Sequence, residues 1–593
     1  MAEFSKLVIT NRGQALIAKM IAGTGNIDFT KICTSSTQYT ENQLVGLTSL
    51  SNVKQTSIIS KVTRTNEVAI KVEAAFTNTD LTAGYYMRTI GLYAVDPDIG
   101  EILYAVTIET SGNCYMPPYN GVTVSGAYVQ LVTTVGNAES VSLEVDAAAV
   151  ATIGDIQDLQ KQIADLESFV GYTDSDIYGV EVDFVNKKFT RLAGAANRTP
   201  GEGFDGINAF GGRRRCNVDN SGNVIAYYGD VGFTTTGKLT QAVTVGETTY
   251  PVGTIVQTMV EQPKFYYKVV PLKIEKKAKG GITRKVAYYV SDAAKAGFKL
   301  HPAFICDGKE NEKIYLAAFE GSLWDASAAA YILDDSQVAD FANDMLCSIA
   351  NAKPASGLTQ NLTRANTRNL AEKRGAGWEQ AYAATVCASA LLMLVEYATF
   401  NMQSAIGMGN VSKADDGATS MTELTGATVN LGNASGAVTN DNGINIVSYR
   451  GEENFWGDIW AWIDGINSKI DVAAGTDTIY IADDDFADDT DTGAYKDAGI
   501  TPSMKAGYIS AFCYSEEFDW LFIAGEVAGN SSLPVGDYFY QSTSSGWRVA
   551  ILGGQWNHGS TAGAFYWHLN YAASTRHRSI GGRLVYVPSK AAA

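Results

Sequence analysis

WRVAILGGQWNHGSTAGAFYWHLNYAASTRHRSIGGRLVYVP, residues 547–588, interleaves glycine and tryptophan with polar and aromatic residues and holds three of the chain's four histidines, His558, His568 and His577. Glycine permits tight turns and tryptophan packs, so the mixture suits a frame that displays side chains on loops. Three clustered histidines raise the question of a His₃ zinc centre. Their separations of ten and nine residues place none of them as i, i+4 partners on one helical face. No flanking carboxylate supplies the support that a ligating imidazole needs, so no metal is expected. The chain contains no GxSxG and no HExxH, which argues against the serine-hydrolase and zinc-protease classes that use them.

Upstream of this stretch, residues 172–593 hold all nine tryptophans, which marks them as a piece distinct from what precedes. Short strands are expected at Ile177–Val185 and Asn223–Tyr228, a long hairpin at Phe265–Ile274 and Ile282–Val290, and a buried helix near 378–400. Ala381–Phe400 is 20 residues long with one charge, Glu396, the length of a membrane span. It is rich in alanine rather than leucine and isoleucine, so a buried helix is expected there.

Several motifs in this piece carry a chemical reading and a plainer one. Gly201-Glu202-Gly203-Phe204-Asp205-Gly206 matches GxGxxG, but Pro200 precedes it and its two carboxylates would repel phosphate, so a surface turn is expected. Asp483, Asp484, Asp485, Asp488, Asp489 and Asp491 offer oxygen ligands for Ca²⁺ without EF-hand spacing, and a solvated acidic loop at 482–497 explains them as well. Arg213-Arg214-Arg215 and the hairpin tip Lys276-Lys277-Ala278-Lys279 fit contacts to anionic sugars or lipid head groups, or merely solvated turns. Glu452, Glu453 and Asp458 are the carboxylates from which a glycan-cleaving pair would be drawn.

Residues 1–148 read as a small α+β domain. Asn11–Ala22 carries Leu16, Ile17, Met20 and Ile21 at helical spacing, Val68–Ala75 alternates as a strand, and Ile90–Ala94 with Glu101–Val106 flank the turn 96–100 as a hairpin. Between the two pieces, at 149–171, Ile156, Leu159, Ile163, Leu166 and Val170 fall at a, d, a, d, a of a heptad, with Gln160 and Glu167 at e. That is a short coiled coil or, alternatively, an amphipathic helix packed on a neighbouring domain. Ile at a with Leu at d favours two strands, though the stretch is too short for that preference to govern.

A chain of 593 residues holds about three domains at ~100–200 residues each. Its net charge of −18 opposes diffuse attraction to phosphate backbones, so nucleic acid is not expected as a partner. Seven scattered cysteines without CxxC fit neither a disulfide framework nor a zinc ribbon, and point to folding in a reducing cytoplasm. The opening MAEFSKLVITNRGQALIAKMIAG lacks the pattern of a secretory signal.

LVITNRGQALIAKMIAG, FTKICTSS and GYYMRTIGLYAVDPDIGEILYAV, all within 1–148, resemble the N-terminal domain of phage tail-collar fibre proteins, which attaches a fibre to the tail or baseplate. Thr89 departs from that family, which often carries Glu there. The 547–588 stretch, with GEENFWGDIWAWIDGIN (451–467) and TRNLAEKRGAGWEQAYAATVCASALLMLVEYATFN (367–401), resembles the C-type-lectin fold of the formylglycine-generating-enzyme-like type. More narrowly it is similar to the variable proteins of diversity-generating retroelements, in which adenine mutagenesis rewrites a fixed set of exposed sites.

The resemblance implies an α+β multidomain chain. It would have an attachment domain at 1–148, a coiled coil at 149–171 that makes a homotrimer, and a C-type-lectin-like receptor-binding domain at 172–593 with its variable region at 547–588. The frame would be Gly553, Gly554, Trp556, Gly559, Gly563, Ile580, Gly581 and Arg583. The variable, receptor-binding positions would be Gln555, His558, Thr561, His568, Tyr571, Thr575, Arg576, His577 and Arg578, while Asn557, Tyr566, Trp567 and Asn570 fit either class. Cys513 stands alone in the last two hundred residues, without the close cysteine pair of the enzymatic branch, so no catalysis and no cofactor are expected. The implied protein is a virion tail-fibre adhesin, assembled in the host cytoplasm, whose partners are a bacterial surface receptor, protein or glycan, and the phage tail. It neither binds nucleic acid nor inserts in a membrane. The rival readings are a glycan-degrading tail spike and a structural collar protein.

Overall fold

The computed structural model describes residues 4–22, 27–64, 69–112, 114–119, 125–134, 145–146, 172–334, 339–358 and 361–591. The chain divides into two compact units, Met1–Phe169 and Val170–Ala593. The heptad at 149–171 lies outside the described residues.

In the first unit the helix Asn11–Ala22 buries Leu16 completely, as its apolar spacing requires. A five-stranded sheet runs Val8–Ile9, Gly100–Ile108, Thr89–Asp96, Asp28–Ser35, Val53–Ile58. The expected hairpin is its centre, with Asp96 opposite Gly100 and Thr89 opposite Ile108. Gly100 turns at φ +87°, a conformation that side chains resist. A second sheet contains Gly126–Thr134, Ala69–Thr77 and Lys61–Arg64, and Val72, Phe76, Val129 and Leu131 bring it into the core with Ile32, Ile90 and Leu92 of the first. Thr89 is buried, and its hydroxyl donates to the Thr37 carbonyl at 2.7 Å.

The second unit is built on three larger sheets. One contains Lys188–Ala193, Tyr178–Asp183 and the long hairpin Tyr266–Lys276 with Gly281–Ser291. Another runs Val224–Tyr227, Arg214–Val218, Gln257–Pro263, Lys313–Ala317, Leu584–Tyr586, Trp378–Gln380. The third carries Thr476–Ile481, Trp460–Asp471, Gly546–Leu552, Trp567–Tyr571, Tyr538–Gln541 and Gly507–Tyr508 in that order, with Ile580–Gly581 pairing parallel to Trp460–Asp471. Ala383–Tyr397 is the buried helix, with every residue from Ala383 to Glu396 inside the core. Glu396 is tolerated there because Arg450 and Tyr449 bind its carboxylate. Among the described residues no helix is long and apolar enough to cross a membrane.

Two expectations need correction. Trp378–Gln380 is a strand rather than the start of the helix, because Gly375 (φ +133°) and Gly377 (φ +87°) turn the chain into the edge of a sheet just before it. The molecule is also mostly β rather than α+β, since among the described residues only three helices exceed a single turn, Asn11–Ala22, Arg364–Glu372 and Ala383–Tyr397.

The doubtful motifs of the second unit resolve into structure. Arg213 and Arg215 are not a surface run but fully buried: Arg213 pairs with Glu452, and Arg215 donates to the carbonyls of Gly451 and Thr428. At the hairpin tip Lys277 pairs with Glu275, and Lys279 with Asp497. Gly201–Phe204 forms one 3₁₀ turn. In the acidic loop Asp488 bridges Arg364 and Arg368, Asp484 meets Lys590, and Asp491 meets Lys469.

Candidate functional site

The 547–588 stretch supplies two antiparallel strands, Gly546–Leu552 and Trp567–Tyr571, joined by a loop whose path depends on glycine. Gly553 and Gly554 sit at φ +104° and +95°. A Cβ at Gly563 would lie 2.0 Å from the Asp537 Oδ1, so the loop presses directly on that carboxyl group. Burial raises the Asp537 pKa, and its Oδ2 accepts from the Phe565 N–H at 2.7 Å. Trp556 is fully buried, and the Arg578 guanidinium lies 5.4 Å above its ring. Arg583 ties the closing strand down by donating to the carbonyls of Asn454 and Ala317.

Around this frame lies a continuous set of rings. His568 is held between Tyr540 and Tyr571, with centroids 4.7 and 4.8 Å away and planes only 10° and 19° from parallel. Tyr540 reaches it from the adjacent parallel strand, where the two residues are direct partners. Trp460 meets His558, Tyr566 and His568 edge-on at 5.2, 4.7 and 5.4 Å. Tyr566 continues to Tyr538 and Tyr538 to Tyr508, whose hydroxyl is 2.9 Å from the Ser560 hydroxyl. Tyr540 is 39% exposed and opens the set to solvent.

The expected variable positions divide by environment. Asn557, Arg576 and His577 are exposed, and Gln555, Thr561, Asn570, Tyr571 and Thr575 are half-buried. Gln555 donates to Asn557 at 2.8 Å, and Arg576 to Asn361 at 2.8 Å. The Thr561 hydroxyl donates to the His558 carbonyl. His577 Nδ1 is 2.7 Å from the Ser579 hydroxyl.

Three positions are less open than the sequence implied. His568 is buried, because Tyr540 and Trp460 cover a strand face that alternation alone would leave wet. His558 is largely covered by Trp460 and Tyr566. Burial depresses both imidazoles, His558 to about 4 and His568 to about 3, with the neighbouring His558 adding to the latter effect. Arg578 is drawn back into the protein by Asp415, Asp416 and the Thr419 carbonyl. Tyr566 and Trp567 are buried.

Sequence reasoning missed Tyr508, Tyr538, Tyr540 and Trp460. The alternation Tyr538-Phe539-Tyr540 was a signal, since it puts both tyrosines on one face of a strand. Nothing local said which strand that face would meet.

Glu452, Glu453 and Asp458, the carboxylates considered for glycan cleavage, are all buried. Glu452 serves Arg213 and Ser389, Glu453 accepts from Gly426 and Thr428, and Asp458 accepts from Asn410 and the Glu423 N–H. Among the described residues no group of three or more His, Cys, Asp or Glu side chains is placed to hold a metal ion.

Solved structures similar to this chain include three variants of the Major Tropism Determinant. The P3c variant is 11% identical, covering 63% of this chain and 71% of that one, with a TM-score of 0.21. The U1 variant is 14% identical, with 63% and 72% covered and a TM-score of 0.21, and the M1 variant 13%, with 68% and 77% covered and a TM-score of 0.22. No curated protein matches the chain. Residues 1–154 match the family model described as phage tail-collar fibre protein, N-terminal. At its N-terminal end, therefore, the chain carries a domain of the phage tail-collar fibre N-terminal type.

Proposed function

We propose that this chain is the receptor-binding protein of a phage tail fibre, a non-enzymatic adhesin of the virion. Residues 1–148 join it to the tail, the 149–171 heptad brings three copies together, and a C-type-lectin-like head at 172–593 binds a bacterial surface receptor. The observation that carries this reading is the ring set around His568. It is fixed by packing and opens at Tyr540, and the same stretch of chain holds exposed or half-buried polar side chains at Gln555, Asn557, Thr575, Arg576 and His577. Rigid aromatic area combined with hydrogen-bonding side chains is how antibody loops bind. Three heads per fibre would add ~10²–10⁴ in avidity where receptor spacing matches.

Within such a surface a minority of aromatic and arginine contacts dominates the energy. Tyr571 and Arg576 are the choices here. Tyr571→Ala or Arg576→Ala is expected to lower adsorption to host cells tenfold or more, each tenfold being about 1.4 kcal/mol; the melt of the Arg576 variant stays near the parent's, and Tyr571→Ala, which also uncovers His568, is assayed well below its own lowered melting temperature. Full adsorption by the double variant would move host recognition elsewhere on the chain.

A further inference from the structure

Beside the 558–561 turn the second unit carries a groove of about 580 Å³, within the ~300–1,000 Å³ of small-ligand sites. Ten residues line it and none is charged: five bear hydroxyls, two carboxamides, and three are apolar. Two other cavities, of about 370 and 450 Å³, are lined by six and three charged residues.

The walls of the groove are held by side chains. Asn401 accepts from the Ser404 N–H at 3.0 Å and donates to the carbonyls of Ser531 and Ser532 at 3.2 and 3.4 Å, which fastens one wall to the other. Gln403 donates to the Gly559 carbonyl at 3.0 Å, and Ser560 meets Tyr508, so the groove is continuous with the ring set. The hydroxyls of Ser404, Ser531 and Ser532 form no hydrogen bond within the described residues, and all three residues are exposed. Beside them stand Met408, 46% exposed, and Leu533, 40% exposed.

This lining selects by exclusion. An anion would find no cationic partner and a cation no carboxylate, while a purely apolar ligand would leave the serine hydroxyls unpaired. A hydroxyl both donates and accepts, as sugar hydroxyls require, and the Met408 and Leu533 side chains suit the C–H face of a pyranose ring.

We propose that the groove binds a neutral saccharide of the bacterial surface, adding a glycan subsite to the receptor-binding surface; this rests on the adhesin reading above. The probes are the neutral and acidic polysaccharide fractions of the bacterium on which the phage plates, titrated calorimetrically into the full chain. The neutral fraction should bind. Ser404→Trp, which fills the groove, and Ser532→Asp, which charges it, should each weaken that binding tenfold or more with melting temperature unchanged, since both positions are exposed. Binding of the acidic fraction alone, of neither fraction, or equally by parent and both variants overturns the proposal. If Tyr571→Ala abolishes adsorption while no polysaccharide binds, the groove fails and the adhesin reading stands. If the neutral fraction binds through the groove but adsorption ignores Tyr571 and Arg576, the subsite stands and the ring set is not the receptor surface.

Discussion

His558 and His568 show how a few rings set a property of the whole second unit. Both are held neutral by burial in the fold, whereas the unfolded chain takes up a proton near the ordinary value of 6.5. Their folded-state values are depressed, so the stability they contribute is intact above pH 6.5 and is lost as pH falls toward about 4 for His558 and about 3 for His568. Each should add about 1.4 kcal/mol per pH unit to the acid limb of the stability profile across that window. Denaturant melts from pH 8 to pH 4 should therefore fall more steeply for the parent than for a His558→Gln, His568→Phe variant, which keeps the rest of the chain's carboxylates. Parallel profiles would mean that these imidazoles titrate freely. The same burial makes His568 a poor site for free substitution: loss of its ring from between Tyr540 and Tyr571 should cost about 1–3 kcal/mol, more than an exposed position would.

Between elements, helix Arg364–Glu372 meets strand Trp460–Asp471 along a charged seam. Arg364 and Arg368 stand one turn apart on the same helix face and both reach Asp464, which is fully buried. Arg368 binds it in two places, at 2.9 and 2.5 Å, and Asp488 closes the network from the acidic loop. Asp464→Asn would leave two guanidinium groups with a single carboxylate between them, at a cost of about 3–5 kcal/mol in chemical denaturation. A loss under 1 kcal/mol would show that Asp488 alone suffices. The sequence disclosed elements whose causes are local: the apolar spacing of Asn11–Ala22, the turn at 96–100, and the long hairpin ending where Lys276 faces Gly281. It did not disclose features set by distant neighbours. Arg213 and Arg215 read as a basic surface run because their acceptors, Glu452, Gly451 and Thr428, are more than two hundred positions away. Tyr540 failed to register because no local pattern says which strand its face will meet, and with it the burial of His568. The turns at Gly553 and Gly554 and the burial of Trp556 follow from residue type, while the covering of His558 and His568 does not.

At the scale of the molecule, the strand Leu584–Tyr586 has a role out of proportion to its three residues. It fills the slot between Lys313–Ala317 and Trp378–Gln380, with Tyr586 opposite both Tyr315 and Trp378. Its hydrogen bonds join parts of the sheet that have no other shared strand. A chain ending at Arg583 should therefore leave the second unit susceptible to protease with its tryptophan emission shifted to that of exposed rings, whereas one ending at Lys590 should not. Native-like emission from the shorter chain would show that the slot closes without its strand. Because this strand is synthesised after 547–578, a stop codon or frameshift anywhere in that stretch deprives the sheet of its central link. Translation through the whole segment thus becomes a condition of completing the sheet, and a prematurely terminated chain carries its own folding defect.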